Sequence, residues 1–181
     1  MKITKTDIPD VLVIEPNVFQ DERGFFLESF NVRAWREATG LETVFVQDNH
    51  SCSNHGVVRG LHYQVESVQG KLVRVVRGEI YDVALDLRRS SPTCGRWTGV
   101  LLSEANKRLC WIPAGFAHAF MALSETADVL YKTTDYYAPE HERSICWDDP
   151  DLAIDWPLPA NAVLSEKDRR AVPFREAELL P

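Results

Sequence analysis

Apolar and polar residues alternate along most of this chain in short runs, which Gly, Pro, Asn or Ser interrupts at intervals of about ten residues. That pattern predicts an all-β sandwich or barrel. The clearest runs are Lys71–Val76 and Ile80–Leu87, separated by Arg77-Gly78-Glu79. In the second run Val83, Leu85 and Leu87 share one face while Asp82, Ala84 and Asp86 share the other, which predicts a hairpin with one buried face. Further strands are expected at 11–15, 25–30, 43–49, 97–103, 108–112, 117–123 and 127–134. Helix is local. Asn31 can cap a short helix with Val32, Trp35 and Thr39 on one side and Gly40 as its stop. Ser165-Glu166-Lys167-Asp168 reads as a capping box opening another, whose length Pro173 limits. No repeat, low-complexity tract or long linker divides residues 1–181, so a single domain is expected.

Composition narrows the class. With 45% hydrophobic and 26% charged residues, the 181-residue chain has the balance of an ordinary globular core, which excludes disorder, collagen and coiled coil. Twenty Lys+Arg against 27 Asp+Glu give a net charge of -7, which argues against nucleic acid or an anionic membrane as partner. A few local Arg and Lys can still bind an anionic small molecule. Met1–Asp7 lacks the apolar core of a signal peptide, and no apolar run approaches the ~20 residues that span a bilayer. A soluble, cytoplasmic protein is expected. Cys52, Cys94, Cys110 and Cys146 are widely spread without a C-x-x-C, so free thiols are expected rather than a zinc ribbon or a disulfide framework.

Histidines carry the candidate chemistry. Pro113-Ala114-Gly115-Phe116-Ala117-His118 has the P-x-G-x-x-H spacing of the second cupin motif, in which a turn between jelly-roll strands aims a histidine into the barrel. The first cupin motif supplies an H-x-H pair and a glutamate. Here that place reads Arg59-Gly60-Leu61-His62-Tyr63-Gln64, with Gln64 where the second histidine would be. A transition metal usually takes three or more protein ligands. The expectation is a cupin-type jelly-roll barrel with a few short peripheral helices and no metal.

The chain resembles the dTDP-4-dehydrorhamnose 3,5-epimerase family over nearly its whole length. The resemblance is carried, in order, by Asp21–Phe26, Phe45–Ser51, Arg59–Gln64, Gln69–Val75, Trp111–His118, Tyr131–Tyr137 and Leu164–Asp168. It implies a cofactor-free and metal-free isomerase that inverts the carbons flanking the C4 ketone of a dTDP-4-keto-6-deoxyhexose. Such chemistry needs a base, a partner for the enolate oxygen and an acid on the opposite face. By resemblance His62 is the base, Asp168 its partner, Lys71 the cation near the C4 oxygen and Tyr131 the proton donor. Arg23 and Arg59 resemble phosphate-binding arginines, and Tyr137 the residue that stacks on thymine. Phe26, Glu28, Gln47, Asp48, Asn49, His118, Glu142 and Lys167 fall at substrate-contact positions. The resemblance also implies a homodimer in which the segment carrying Arg23, Phe26 and Glu28 pairs with the partner's sheet.

Taken singly, these residues have plainer readings. His62 reads as a core histidine, Asp168 as a capping residue, Lys71 as a solvated strand-end lysine and Tyr131 as a strand aromatic. It is the ordered set that points to catalysis. Two alternatives stay open on sequence: an epimerase acting only at C3 or only at C5, and a non-catalytic sugar-nucleotide-binding module on the same scaffold.

Overall fold

The computed structural model describes residues 1–181. Its strands are β1 (Lys2–Lys5), β2 (Leu12–Glu15), β3 (Val18–Asp21), β4 (Gly24–Leu27), β5 (Gln47–Asn54), β6 (Val58–Gln64), β7 (Lys71–Arg77), β8 (Glu79–Asp86), β9 (Trp97–Ser103), β10 (Leu109–Ile112), β11 (Phe116–Ala122), β12 (Thr126–Thr133) and β13 (Glu142–Ser144). A six-stranded antiparallel sheet has the order β1-β2-β10-β7-β12-β5, a five-stranded one the order β13-β6-β11-β8-β9, and β3–β4 forms a separate ribbon. The helices α1 (Val32–Thr39) and α2 (Glu166–Arg169) are peripheral. The fold is a cupin-like jelly roll, two sheets facing each other so that strand alternation sorts residues to an inner or an outer face.

Three apolar layers result. Between the sheets lie Val73, Val75, Ile80, Ala84, Val100, Leu102, Ile112, Phe116, Phe120 and Val129. The outer face of the six-stranded sheet presents Leu12, Ile14, Leu72, Leu109 and Trp111 to Trp35 of α1. That helix forms where the sequence places its signals: Asn31 Oδ1 accepts from the N–H groups of Arg33 and Ala34, and Gly40 closes it at φ +72°. Only Trp35 enters the core, and Val32, expected beside it, is exposed. On the far side, Val58, Leu61, Tyr63, Val83, Leu85 and Leu87 pack beneath Ile145, Trp147, Leu152, Trp156 and Leu180 of the C-terminal segment. Each fully buried Val, Leu, Ile or Phe among them contributes about 1.5–3 kcal/mol.

The expected hairpin is absent. β7 pairs with β10 and β12 while β8 pairs with β9 and β11, so Gly78, at φ +76°, turns the chain from one sheet to the other. Nor does β8 have a single buried face. Its apolar side lies under the C-terminal segment and its Asp82, Ala84, Asp86 side lines the barrel interior, with both aspartates at most 1% exposed. No expected strand range covers β1, β3, β6 or β13, although His62 reads as a strand histidine; residues 43–46 precede β5 rather than forming part of it, and β4 ends at Leu27. All four cysteines are free thiols, Cys110 buried and Cys52 exposed. No helix is long and apolar enough to cross a membrane.

Candidate active site

Strand alternation turns a group of polar side chains inward among the apolar ones. Lys71 shares the inner face of β7 with Val73 and Val75, Tyr131 that of β12 with Val129, and His118 that of β11 with Phe116 and Phe120. The pairing of β11 with β6 sets His118 opposite His62, and Tyr131 lies between Val73 and Asn49. Two cavities open among them, and His62, Lys71 and Tyr131 are walls of both. One, of about 320 Å³, is also lined by Gln47, Asn49, Gln64, Gln69, Phe116, Tyr137 and Glu142. The other, of about 450 Å³, adds Arg59, His118, Phe120, Ser165, Lys167 and Asp168.

The C-terminal segment delivers Asp168 to this site. Val163 is hydrogen-bonded to Gly56 and Val58 at one end, Val172 to Ser144 and Cys146 at the other, and α2 lies between these anchors. Asp168 Oδ1 then sits 2.5 Å from His62 Nε2. Its Oδ2 accepts from the Ser165 hydroxyl at 2.6 Å, while Ser165 Oγ accepts from the Asp168 N–H at 3.1 Å. Only the Ser165 half of a capping box therefore forms, because the Asp168 carboxylate is turned toward His62. A second buried pair lies alongside, with His118 Nε2 2.7 Å from Asp82 Oδ1. On the other side, Glu142 Oε2 accepts from the Tyr137 hydroxyl at 2.8 Å and pairs with Lys167 Nζ at 2.5 Å. Arg59 is braced by Ser53 Oγ at 2.9 Å and the Cys52 carbonyl at 3.2 Å.

The family model for dTDP-4-dehydrorhamnose 3,5-epimerase matches residues 5–176. The chain belongs to this family. The epimerase of Pseudomonas aeruginosa is 61% identical over 181 residues, covering 100% of both chains, and that of Shigella flexneri is 55% identical over 179 residues, covering 98% of each. The crystal structure of the Legionella pneumophila epimerase in complex with dTDP-4-keto-L-rhamnose superposes with a TM-score of 0.96 at 52% identity, covering 99% of this chain and 97% of that one.

Burial and neighbours set the charge states in this epimerase-family site. Burial drives the Lys71 ammonium down to about 8, against partial support from Glu142 and Asp82. Burial likewise lowers His118, which Asp82 only partly offsets while the Lys71 ammonium adds to the fall. Burial alone would raise Asp168, but the hydrogen bonds from His62 and Ser165 outweigh it and hold the carboxyl below its usual range. Glu142 is held low in the same way by Lys167 and Tyr137. Burial raises the Tyr131 phenol, so it keeps its proton.

The structure brings together His62, Lys71, Tyr131, Asp168, Gln47, Asn49, Arg59, His118, Tyr137, Glu142 and Lys167. It does not bring in Arg23, Phe26, Glu28 or Asp48. Arg23 folds back on Asp21 in the exposed ribbon, Phe26 is 68% exposed, and Glu28 accepts from Asn31 Nδ2. Asp48 points from the outer face of β5 to Lys132, 2.8 Å away. Asp82, Ser165 and Gln69 join the site, through His118, through Asp168 and in the wall of the smaller cavity, without being among the residues that the sequence marks as site residues. For Asp82 a signal existed: an aspartate in register with Ala84 on a strand with an apolar opposite face. Nowhere do three His, Cys, Asp or Glu side chains converge as a metal would require. Gln64 spends its amide on the carbonyls of Ser67 and Tyr136 and the N–H of Ala138.

Proposed function

We propose that the protein converts dTDP-4-dehydro-6-deoxy-D-glucose to dTDP-4-dehydro-L-rhamnose by inversion at C3 and C5, as one domain spanning residues 1–181 and without metal or organic cofactor. The observation that carries this reading is the Asp168-bound His62 sharing the walls of both cavities with Lys71 and Tyr131. The C4 ketone acidifies the protons on C3 and C5. His62 removes one through the ring nitrogen that Asp168 leaves free, and the carboxylate fixes the tautomer and stabilises the imidazolium. The Lys71 ammonium faces the developing enolate oxygen, where a cation in a buried site acts most strongly. Tyr131 returns a proton to the opposite face. Because C3 and C5 both flank C4, one set of groups serves both centres.

Arg59 is the candidate for the diphosphate within this chain, a charge match that suits the planar guanidinium fork, and Lys167 contacts substrate. Tyr137 stacks on the base, and Gln47, Asn49, His118 and Glu142 contact substrate. Arg23, Phe26 and Glu28 act from the partner of a homodimer. Support for that arrangement comes from the β3–β4 ribbon, which stands outside both sheets with Phe19, Phe25 and Phe26 exposed by 64%, 58% and 68%. Such a ribbon left uncovered is a liability.

The test is incubation with the dTDP-4-keto sugar in D2O, followed by NMR reading deuterium and configuration at C3 and C5 separately. Label and inversion at both carbons are expected. Inversion at only one would make the protein a single-centre epimerase, and no label at either would make it a binding module.

A further inference from the structure

The segment between β12 and β13 that carries Tyr137 is held by glutamine side chains from separate parts of the chain. Gln64, the last residue of β6 and 4% exposed, donates both amide N–H groups, to the Ser67 carbonyl at 2.7 Å and the Tyr136 carbonyl at 3.2 Å. Its Oε1 accepts from the Ala138 N–H at 2.9 Å. Gln69 donates to the Asp135 carbonyl at 2.9 Å, and Gln47 Oε1 accepts from the Tyr137 N–H at 3.0 Å. The backbone is thus gripped immediately before, at and immediately after Tyr137. The ring itself is left in the open. Tyr137 is 54% exposed, and its only side-chain hydrogen bond is the hydroxyl's to Glu142.

Although Gln64 lines the smaller cavity, both of its donors are consumed within the chain, so it has no N–H left for a substrate. An exposed aromatic ring on a backbone fixed by several side-chain hydrogen bonds, those of Gln64 and Gln69 partly buried, is a preorganised stacking surface, because the ordering cost is met on folding rather than on binding. We propose that Gln64 is a positioning residue for nucleotide recognition: it locks Tyr136–Ala138 so that the Tyr137 ring is set to stack on the base, with Gln69 as an auxiliary tie. The inference rests on the reading of Tyr137 as the base-stacking residue. It also gives a use to a side chain that stands, in sequence, where a metal-binding cupin carries a ligand.

The experiment is calorimetric titration with dTDP, together with steady-state kinetics, on the wild type, Gln64→Met, Tyr137→Ala and the double variant. Methionine keeps the length of the side chain and removes the amide. Gln64→Met should raise the dTDP Kd and the substrate KM about tenfold, with kcat reduced less than about threefold. In the Tyr137→Ala background the Gln64 change should add almost nothing, since residues acting through one group are not additive. Wild type that fails to bind dTDP would overturn the nucleotide reading itself. Wild type that binds, with Gln64→Met unchanged, would overturn the positioning role alone, as would full additivity or a loss confined to kcat. Should circular dichroism show Gln64→Met unfolded, Gln69→Met takes its place. That variant removes one tie to the same segment, and a Kd rise of about threefold is expected; an unchanged Kd overturns the proposal.

Discussion

Lys71 is only 9% exposed and forms neither an ion pair nor a hydrogen bond, an arrangement that folding by itself disfavours. Its value of about 8 in the folded chain, against 10.5 for the free side chain, has a definite sign. Between these limits the unfolded chain holds a proton that the folded one releases, so Lys71 lowers stability fully below about 8 and the penalty fades as pH rises toward 10.5. Lys71→Met should therefore raise stability by on the order of 2 kcal/mol at neutral pH, with the gain shrinking in alkaline denaturation curves, while turnover collapses. A destabilised Lys71→Met would show the ammonium to be better solvated than its burial implies. In the wild type, kcat/KM should decline as pH rises through about 8, because the neutral amine cannot balance an enolate. His62→Asn should cost roughly 100- to 10,000-fold in rate while leaving dTDP affinity nearly intact. Tyr131→Phe should separate two events. His62 can still remove the proton and Lys71 still hold the enolate, but the proton then returns from the side it left, so deuterium exchange in D2O persists while inverted product falls sharply. Equal losses of exchange and inversion would assign Tyr131 to substrate positioning instead.

At the scale of elements, β6 carries the proposed base and is the strand whose pattern hid it. Its inner positions hold His62 and Gln64 where a core strand has apolar residues, and Gly60 interrupts the alternation, so the features that make the site break the periodicity by which a strand is read. The runs at 97–103, 108–112, 117–123 and 127–134 were legible because aliphatic and aromatic residues fill their inner faces, and β9 to β12 fall there within a residue or so. The β7–β8 turn misled because a Gly-centred reversal looks the same in sequence whether it joins neighbours in one sheet or opposite sheets. Periodicity and spacing alone left His62, Lys71 and Tyr131 with structural readings; their assembly in one place came from resemblance, and Asp168 was masked by its capping position. Gly60 also yields a prediction. At φ +113° a Cβ there would stand 2.7 Å from the Cβ of Ala119, so Gly60→Ala must push β6 from β11 next to His62. The expected result is a loss above about 2 kcal/mol in denaturant unfolding, together with reduced turnover, since both backbone strain and overpacking act. Unchanged stability would mean that β6 relaxes freely, and the precision of the site would then need another source.

At the scale of the whole molecule, the site is assembled from distant parts of the chain: β6, β7, β11 and β12 contribute walls, and the C-terminal segment contributes Asp168. The homodimer proposed above extends the same principle to a second chain, since Arg23, Phe26 and Glu28 lie outside both cavities of their own protomer. A mixing experiment separates this arrangement from a monomeric enzyme whose ribbon is a bystander. His62→Asn keeps Arg23 but lacks the base, whereas Arg23→Ala keeps the base but lacks the arginine, and each homodimer should be poorly active. Unfolding and refolding the two together forms mixed dimers. In each of these, the His62-bearing site receives Arg23 from its partner and is complete, while the other site lacks both groups. With random assortment half the dimers are mixed and half their sites complete, so activity should recover to about a quarter of the wild-type value. If Arg23 served its own chain, every complete combination would require both groups on one protomer and mixing would restore nothing. A ribbon irrelevant to the site would already show in the parent variant, because Arg23→Ala would then turn over at the wild-type rate. Sedimentation of the refolded mixture checks that dimers have formed, so that a failure of recovery is read against the exchange of residues between chains and not against assembly.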